Sequence, residues 1–152
     1  MPLHAIRAKA GHRGFTLIET MVVLVILGIL MTFALPLYQD SARKMRRMDA
    51  KRELLELAMR QERYHAQHSA YSLDISSSRG LNYRRSQTEN GMYDLLVAAC
   101  DVGGATLALD RCYTLIARPR PGSDQHRDTC GELRVNGLGL RSASGPEDAR
   151  CW

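Results

Sequence analysis

A long apolar segment near the N-terminus constrains this chain more than any other feature. Residues 15–35 read FTLIETMVVLVILGILMTFAL and contain a single ionisable side chain, that of Glu19. As an α-helix rising ~1.5 Å per residue, this segment would extend roughly 30 Å, which is the thickness of the hydrocarbon core of a bilayer. The sequence therefore predicts a membrane-spanning helix over residues 15–35.

Three other interpretations of the segment fit less well. A cleaved secretory signal has a shorter apolar core followed by a small-x-small cleavage site, whereas this run ends in Ala-Leu-Pro-Leu-Tyr at residues 34–38. A plain signal anchor has the right length but no use for Glu19, whose carboxylate costs on the order of 2.5–3.5 kcal/mol inside a membrane. A buried helix of a soluble domain would need other apolar elements around it, and the remaining sequence has too few.

The residues around the start of the segment are more specific. Residues 1–14 carry three basic side chains and no acidic one, and they end in Gly14 followed by Phe-Thr-Leu-Ile-Glu. This junction resembles the class III signal of type IV prepilins and pseudopilins. The resemblance implies a leader over residues 1–14 that prepilin peptidase removes after Gly14. It also implies N-methylation of the new amine on Phe15.

The same resemblance assigns an assembly role to three residues of the helix. Glu19 would pair with the Phe15 amine of a neighbouring subunit, and Gly28 and Pro36 match the positions at which the helix weakens during filament assembly. The physics agrees for Glu19, because a buried charge carries a large penalty unless it is paired. Gly28 has an equal alternative interpretation as a close-packing site between membrane helices.

The distribution of basic residues opposes this topology. The positive-inside rule compares Lys and Arg on the two flanks of a membrane helix. The leader has three, whereas residues 43–52 have six. Counting alone would place the C-terminal part in the cytoplasm; the leader motif and the cysteines favour the periplasm.

After Pro36 the helical pattern continues over residues 36–68. Five apolar residues fall roughly on one face of this helix: Leu37, Met45, Met48, Leu55 and Met59. Leu54 and Leu57 widen that face. Charged residues, Glu53 among them, are expected on the other side. His65 and His68 are spaced for one solvated face, which we favour over a metal site because no third ligand is near. The polar stretch 69–91 is typical of a connecting loop.

Strands are predicted in residues 92–152. Met92–Cys100 and Cys112–Arg118 have strand length and flank the turn at Gly103-Gly104. Residues 132–141 predict a hairpin with a two-residue Asn136-Gly137 turn, which would pair Val135 with Leu138 and Leu133 with Leu140. Glu132 would then lie beside Arg141.

All four cysteines lie in the C-terminal part of the chain, from residue 100 onward: Cys100, Cys112, Cys130 and Cys151. An even number behind a membrane segment predicts two disulfides and an oxidising compartment. Four metal-binding thiols are the alternative, but zinc ligands usually come in close pairs such as C-x-x-C. Of the three possible connectivities we favour Cys100–Cys112 and Cys130–Cys151, because each joins strand ends or closes the terminal hairpin.

Together these features predict an α+β fold in which a long N-terminal helix packs on a four-stranded antiparallel sheet. Residues 130–151 match the disulfide-closed D-region of pilins, and residues 69–91 match the pilin αβ-loop by position. The C-terminal part contains a Tyr113-Thr114-Leu115 strand, an Asp128-x-Cys130-Gly131 step, the terminal hairpin and a closing Cys151-Trp152. In these features it looks most like the PilE group of minor pilins. The resemblance implies a minor pilin that supports pilus biogenesis, twitching motility, adhesion and DNA uptake. It would be anchored in the inner membrane with a periplasmic head and later reach the pilus and cell surface.

The partners implied by this resemblance are other pilin subunits, prepilin peptidase and the inner-membrane assembly platform. A major pilin and a pseudopilin of type II secretion are alternatives within the class. A DNA-receptor pilin is another, with a basic stripe formed by Arg84, Arg85, Arg118, Arg120, Arg127 and Arg134. We favour ordinary solvated charges for these arginines, because acids are interspersed and the net charge of +5 is mild.

Enzymatic activity is not expected. The sequence contains no G-x-S-x-G, P-loop or H-E-x-x-H motif, and we expect neither a catalytic site, a cofactor nor a metal. Ser123, Asp124 and His126 are residue types of a catalytic triad, but they lie in a Pro/Gly loop without a nucleophile elbow.

Overall fold

A single helix, α1 (Leu17–His68), covers the two segments for which the sequence predicts helix, beginning two residues after the predicted start at Phe15. The computed structural model describes residues 14–152, so the predicted leader lies outside the described residues except for Gly14. The helix begins at a capping pattern, Thr-x-x-Glu, in which the Thr16 hydroxyl accepts a hydrogen bond from the Glu19 backbone N–H at 3.3 Å. It continues without a break through Pro36.

The chain divides into two units, one ending at Gln39 and the other, the head, extending from Asp40 to Trp152. The first unit contains the part of α1 that is long and apolar enough to cross a membrane, and no residue of that apolar part is buried. The head contains the whole hydrophobic core, whose buried residues lie between Ala50 and Cys151.

The sheet of the head has four antiparallel strands, as the sequence predicts, and the chain-order bounds that follow are also their order in the sheet. Their bounds are β1 Tyr93–Ala99, β4 Tyr113–Pro119, β5 Leu133–Asn136 and β6 Arg141–Ala143. A separate two-stranded ribbon, β2 (Asp101–Val102) and β3 (Ala105–Thr106), turns at Gly103-Gly104. A short 3₁₀ helix, Asp124–Arg127, precedes β5, and α2 (Asp148–Cys151) ends the chain. The α+β prediction is confirmed.

The predicted register of the terminal hairpin is wrong. Val135 pairs with Arg141 and Leu133 with Ala143, so the connection contains residues 137–140 rather than two residues. The side chain of Asn136 explains the longer turn, because its Oδ1 accepts hydrogen bonds from the backbone N–H groups of Leu138 and Leu140. The left-handed position, φ +81°, belongs to Gly139. A type I′ turn would instead need positive φ at both Asn136 and Gly137.

The face of α1 that packs on the sheet also differs from the predicted one. The buried side is Ala50, Glu53, Leu54, Leu57 and Gln61. The methionine face of α1, defined by Met45, Met48, Leu55 and Met59, lies on the opposite side and is exposed. At 3.6 residues per turn the two sets are half a turn apart. The helix thus has two apolar faces, and the sequence pattern alone does not show which one packs in the head.

Glu53 was expected on the solvated side and is instead 2% exposed. Its carboxylate accepts a hydrogen bond from Tyr83 Oη at 2.8 Å and another from the backbone N–H of Glu89 at 2.9 Å. No basic group lies within 4.0 Å of it among residues 14–152. Burial and this carboxylate together raise the pKa of Tyr83 to about 12. The αβ-loop is therefore joined to α1 by a buried acid bound through neutral donors.

Candidate functional site

The apolar half of α1 presents a continuous uncovered surface. Every residue from Gly14 to Gln39 is exposed, including Glu19. The Glu19 carboxylate has no basic group within 4.0 Å among the residues that the structure describes. An apolar helix with an unpaired acid in its first turn needs lipid, or other subunits, to cover it and a cation to neutralise it.

The two glycines of this segment are not required by the packing of the chain itself. A Cβ added to Gly14 or to Gly28 would meet no atom within 4 Å. Pro36 lies inside α1 and, because proline has no N–H, leaves the Thr32 carbonyl without its helical hydrogen bond. The helix remains unbroken here, so weakening at Gly28 and Pro36 stays a prediction.

The D-region is closed by a disulfide and lies against α1. The sulfurs are joined as Cys100–Cys112 and Cys130–Cys151, and all four cysteines are fully buried. A close backbone approach holds the region shut, because Gly145 donates to the Cys130 carbonyl at 3.0 Å. A Cβ on Gly145 would lie 1.8 Å from the Thr129 carbonyl oxygen. The position therefore admits only glycine.

A buried ion pair ties the segment just before the D-region to α1. Arg47 donates two hydrogen bonds to Asp128, from Nη2 at 2.6 Å and from Nε at 3.1 Å. The side chain of Asp128 is 1% exposed and that of Arg47 is 13% exposed. Asp128 also accepts hydrogen bonds from Tyr93, Gln125 and the backbone of Cys130. Burial and the Asp128 charge raise the pKa of Tyr93.

The six arginines of the predicted basic stripe fall into three groups. Arg118 and Arg134 lie on the outer face of the sheet and share Glu132, at 2.5 Å and 2.7 Å. Burial would raise the pKa of Glu132, but the hydrogen bonds from the two arginines outweigh it and keep this pKa below its ordinary value. Two arginines for one acid leave this part of the face positive.

The other four stripe residues lie elsewhere. Arg120 pairs with Asp94 at 3.6 Å, and Arg85 pairs with Glu89 at 4.0 Å. Arg84 and Arg127 are exposed and have no carboxylate within 4.0 Å in the described part of the chain. The structure thus brings Arg118 and Arg134 together and does not unite all six in one stripe.

Of the residue types of a catalytic triad, Ser123 and Asp124 each contact a residue outside the cluster. The Ser123 hydroxyl donates to the Arg120 carbonyl at 2.8 Å, and Asp124 faces Arg46 at 3.8 Å.

His65 contacts the Asp110 carbonyl through Nε2 at 3.1 Å and stacks on Tyr71. Among residues 14–152 no group of three His, Cys, Asp or Glu side chains is arranged to hold a metal ion.

Sequence reasoning missed the Arg47–Asp128 pair and a basic cavity beside it. The two residues are 81 positions apart, and periodicity reports only on neighbours along the chain. One sequence signal could have indicated that Asp128 is buried. It lies two residues before Cys130, and a residue so close to a buried disulfide is often buried as well.

Known proteins similar to this chain include pilins. The fimbrial protein EcpB of Eikenella corrodens is 62% identical over 33 residues, and the match spans 22% of this chain and only 21% of the length of EcpB. A type IV pilin from Shewanella oneidensis has a TM-score of 0.46 at 20% identity, covering 72% of this chain and 97% of that one. The non-core minor pilin PilV of Neisseria meningitidis has a TM-score of 0.49 at 22% identity, covering 71% and 92%.

Two family models match the chain. The prokaryotic N-terminal methylation motif matches residues 9–35, which include the junction between Gly14 and Phe15. The second model, described as type IV minor pilin ComP, DNA uptake sequence receptor, matches residues 36–134, about two thirds of the chain. The second match lies almost entirely in the head, whose pilin-like motifs are less specific than the junction at Gly14 and Phe15. The chain belongs to the family of the type IV minor pilin ComP.

Proposed function

We propose that this protein is a minor subunit of a type IV pilus that assembles through the apolar half of α1. The observation that carries the proposal is the contrast between the two units. The head buries its own core, from Ala50 to Cys151, whereas the segment before Asp40 buries nothing. A helix of this kind serves as an anchor in lipid and then as a packing element among other subunits.

Processing and location follow from the same proposal. Prepilin peptidase would cut after Gly14 and methylate Phe15 at the inner membrane, with the head in the periplasm. The assembly platform and other pilin subunits would then be the partners. The motif match over residues 9–35 supports this order of events, and the two disulfides agree with an oxidising compartment outside the cytoplasm.

Replacing Glu19 by alanine tests the assembly function. The variant should insert in the membrane and be processed normally, because only a costly charge is removed from the apolar segment. Its incorporation into filaments should fall by roughly tenfold or more, because the amine of a neighbouring Phe15 is left buried without a partner. A loss of ~1.4 kcal/mol in the free energy of subunit association is enough for a tenfold effect. Sheared filaments are quantified by immunoblot, and mass spectrometry of the membrane-extracted protein should show methylated Phe15 at its N-terminus.

The conservative variant Glu19→Asp is the matched control for this experiment. It keeps the charge at the same turn of the helix and should retain more incorporation than the alanine variant. Normal incorporation of Glu19→Ala would show that the acid is incidental to assembly. A mature N-terminus beyond Pro36 would contradict the pilin function itself, because the anchor would have been removed.

We further propose that the head binds duplex DNA. Two observations favour this second function over ordinary solvated charge. The matching family is described as a DNA uptake sequence receptor. The structure also leaves positive charge uncompensated on the exposed surface, at Arg84 and at the Arg118–Glu132–Arg134 group. Guanidinium groups bind phosphate oxygens with two parallel hydrogen bonds, and phosphate contacts dominate DNA affinity.

A gel-shift assay with the fragment 40–152 tests DNA binding, since this unit contains the complete core. The double variant Arg84→Gln/Arg134→Gln should weaken binding to duplex DNA by roughly tenfold. It should also reduce the salt slope of log K by about 2, one for each phosphate that is no longer neutralised. The matched control is Arg63→Gln/Arg111→Gln, which removes two exposed arginines outside the predicted stripe. This function would be contradicted if both double variants lost the same affinity for duplex DNA. It would also be contradicted if the unmodified fragment did not shift duplex DNA at low salt.

A further inference from the structure

A basic cavity of about 440 Å³ lies at the end of the head where the described chain enters it at Asp40. We call it the basal cavity. Its walls come from the first turns of α1 in the head, from the end of the 3₁₀ helix with the two residues after it, and from α2 with the residue before it. The lining residues are Asp40, Arg43, Lys44, Arg47, Arg127, Asp128, Thr129, Glu147 and Arg150.

The basal cavity carries an excess of positive charge. It has five basic and three acidic side chains. The three acids are already engaged, in the pairs Arg43–Asp40 at 3.0 Å, Arg47–Asp128 at 2.6 Å and Arg150–Glu147 at 3.7 Å. Lys44 and Arg127 remain, and neither has a carboxylate within 4.0 Å among residues 14–152. The cavity is therefore suited to an anion that carries one or two negative charges.

Hydrogen-bond donors without a partner line the same space. Lys44 and Arg127 are exposed at the cavity and make no ion pair within residues 14–152. Arg47 uses Nε and Nη2 for Asp128, which leaves Nη1 uncommitted. Since the carboxylates are occupied, the donors favour a ligand that supplies several acceptor oxygens at once. A phosphate group has this property, and Arg and Lys are its usual ligands.

We propose that the basal cavity binds a phosphate ester, of the kind carried by the headgroup of an anionic glycerophospholipid. A volume of about 440 Å³ is in the range of small-molecule sites and exceeds what bare phosphate needs. Arg43 follows the end of the apolar run, Leu35, by eight residues, so the chain itself keeps the cavity within ~28 Å of the membrane segment. Duplex DNA presents its phosphates on a convex rod and does not enter a cavity.

The experiment uses the mature full-length protein reconstituted into vesicles, with the fluorescence of Trp152, the only tryptophan, reporting thermal unfolding of the head. Vesicles of phosphatidylcholine are compared with vesicles that also contain phosphatidylglycerol, and with phosphatidylcholine vesicles given free glycerol phosphate. Binding at tenfold over Kd should raise the unfolding midpoint by roughly 5 °C. The first comparison tests the lipid and the second the free ester.

The test variant is Lys44→Gln/Arg127→Gln, which alters two exposed, unpaired side chains and leaves the ion pairs of the cavity in place. In this variant the ester should no longer raise the unfolding midpoint, whereas in the control Arg63→Gln/Arg111→Gln it still should. A rise with either ester that depends on Lys44 and Arg127 supports the proposal and identifies the source. No rise with either ester, or an equal loss in the control, overturns it. Duplex DNA added to phosphatidylcholine vesicles is the last comparison. If it alone raises the unfolding midpoint in a way that depends on Lys44 and Arg127, the proposal is overturned and the cavity binds nucleic acid.

Discussion

Replacing Arg47 by methionine should destabilise the head by about 3–5 kcal/mol, which is a large part of a total stability of ~5–10 kcal/mol. Methionine keeps most of the length of the side chain but removes both hydrogen bonds to Asp128. The Asp128 carboxylate, 1% exposed, would then be a buried charge held only by neutral donors. Urea unfolding of the fragment 40–152, followed by Trp152 fluorescence, measures the free energy of unfolding.

Two further variants separate a buried pair from a surface pair. Arg118→Met breaks the pair with Glu132 at a side chain that is 52% exposed, and it should cost less than ~1 kcal/mol. The double variant Arg47→Met/Asp128→Asn removes the stranded charge and should recover roughly half of the loss. A cost below ~1 kcal/mol for Arg47→Met alone would show that Asp128 is not held as a charge by this contact.

Removing the Cys130–Cys151 disulfide with two alanine substitutions should cost roughly 3 kcal/mol, because the bond restricts a loop of twenty intervening residues in the unfolded chain. The head from Asp40 onward contains no phenylalanine, so its core is thin and the loss is proportionally large. We also expect reduced incorporation into filaments, since the bond closes the D-region against α1. Urea unfolding and the yield of sheared filaments are the two measurements.

The variant Cys100→Ala/Cys112→Ala is the control for that second effect. Its loop of eleven intervening residues predicts a similar loss of stability, but its bond closes the β2–β3 ribbon rather than the D-region. Filament incorporation should therefore be affected less. Peptide mapping without reductant that found a Cys112–Cys130 link, or four free thiols in periplasmic protein, would contradict the pairing on which both variants are based.

Features that depend on neighbours along the chain could be predicted from the sequence. The length of the apolar run at residues 15–35 indicates a membrane-spanning helix, and α1 includes all of this run from Leu17 onward. The strands β1 and β4 begin and end within one residue of the runs predicted at 92–100 and 112–118. The Cys100–Cys112 bond followed from those strand ends, because both cysteines lie next to them. The Cys130–Cys151 bond followed from the terminal hairpin that it closes.

Features that depend on side-chain hydrogen bonds or on distant partners could not be predicted. The Asn136-Gly137 pair is typical of a two-residue turn, but Asn136 captures two backbone N–H groups and lengthens the turn to residues 137–140. The pattern of α1 does not distinguish its two apolar faces, since both Leu54 and Met48 repeat with helical spacing. The basal cavity joins residues 40–47 to residues 127–150, and charge counting treats those segments separately.

The attachment of α1 to the rest of the head has a mechanical consequence. Polar contacts join α1 to the rest of the head at successive positions along the helix. They are Arg47 to Asp128, Glu53 to Tyr83, Gln61 to the backbone of Ser72 and His65 to the carbonyl of Asp110. A pull along the helix axis would load these contacts in parallel, as in shear, rather than one after another. They must then yield together before the helix slides out of the head. We therefore expect that a pull along α1 would not unfold the sheet until these contacts break.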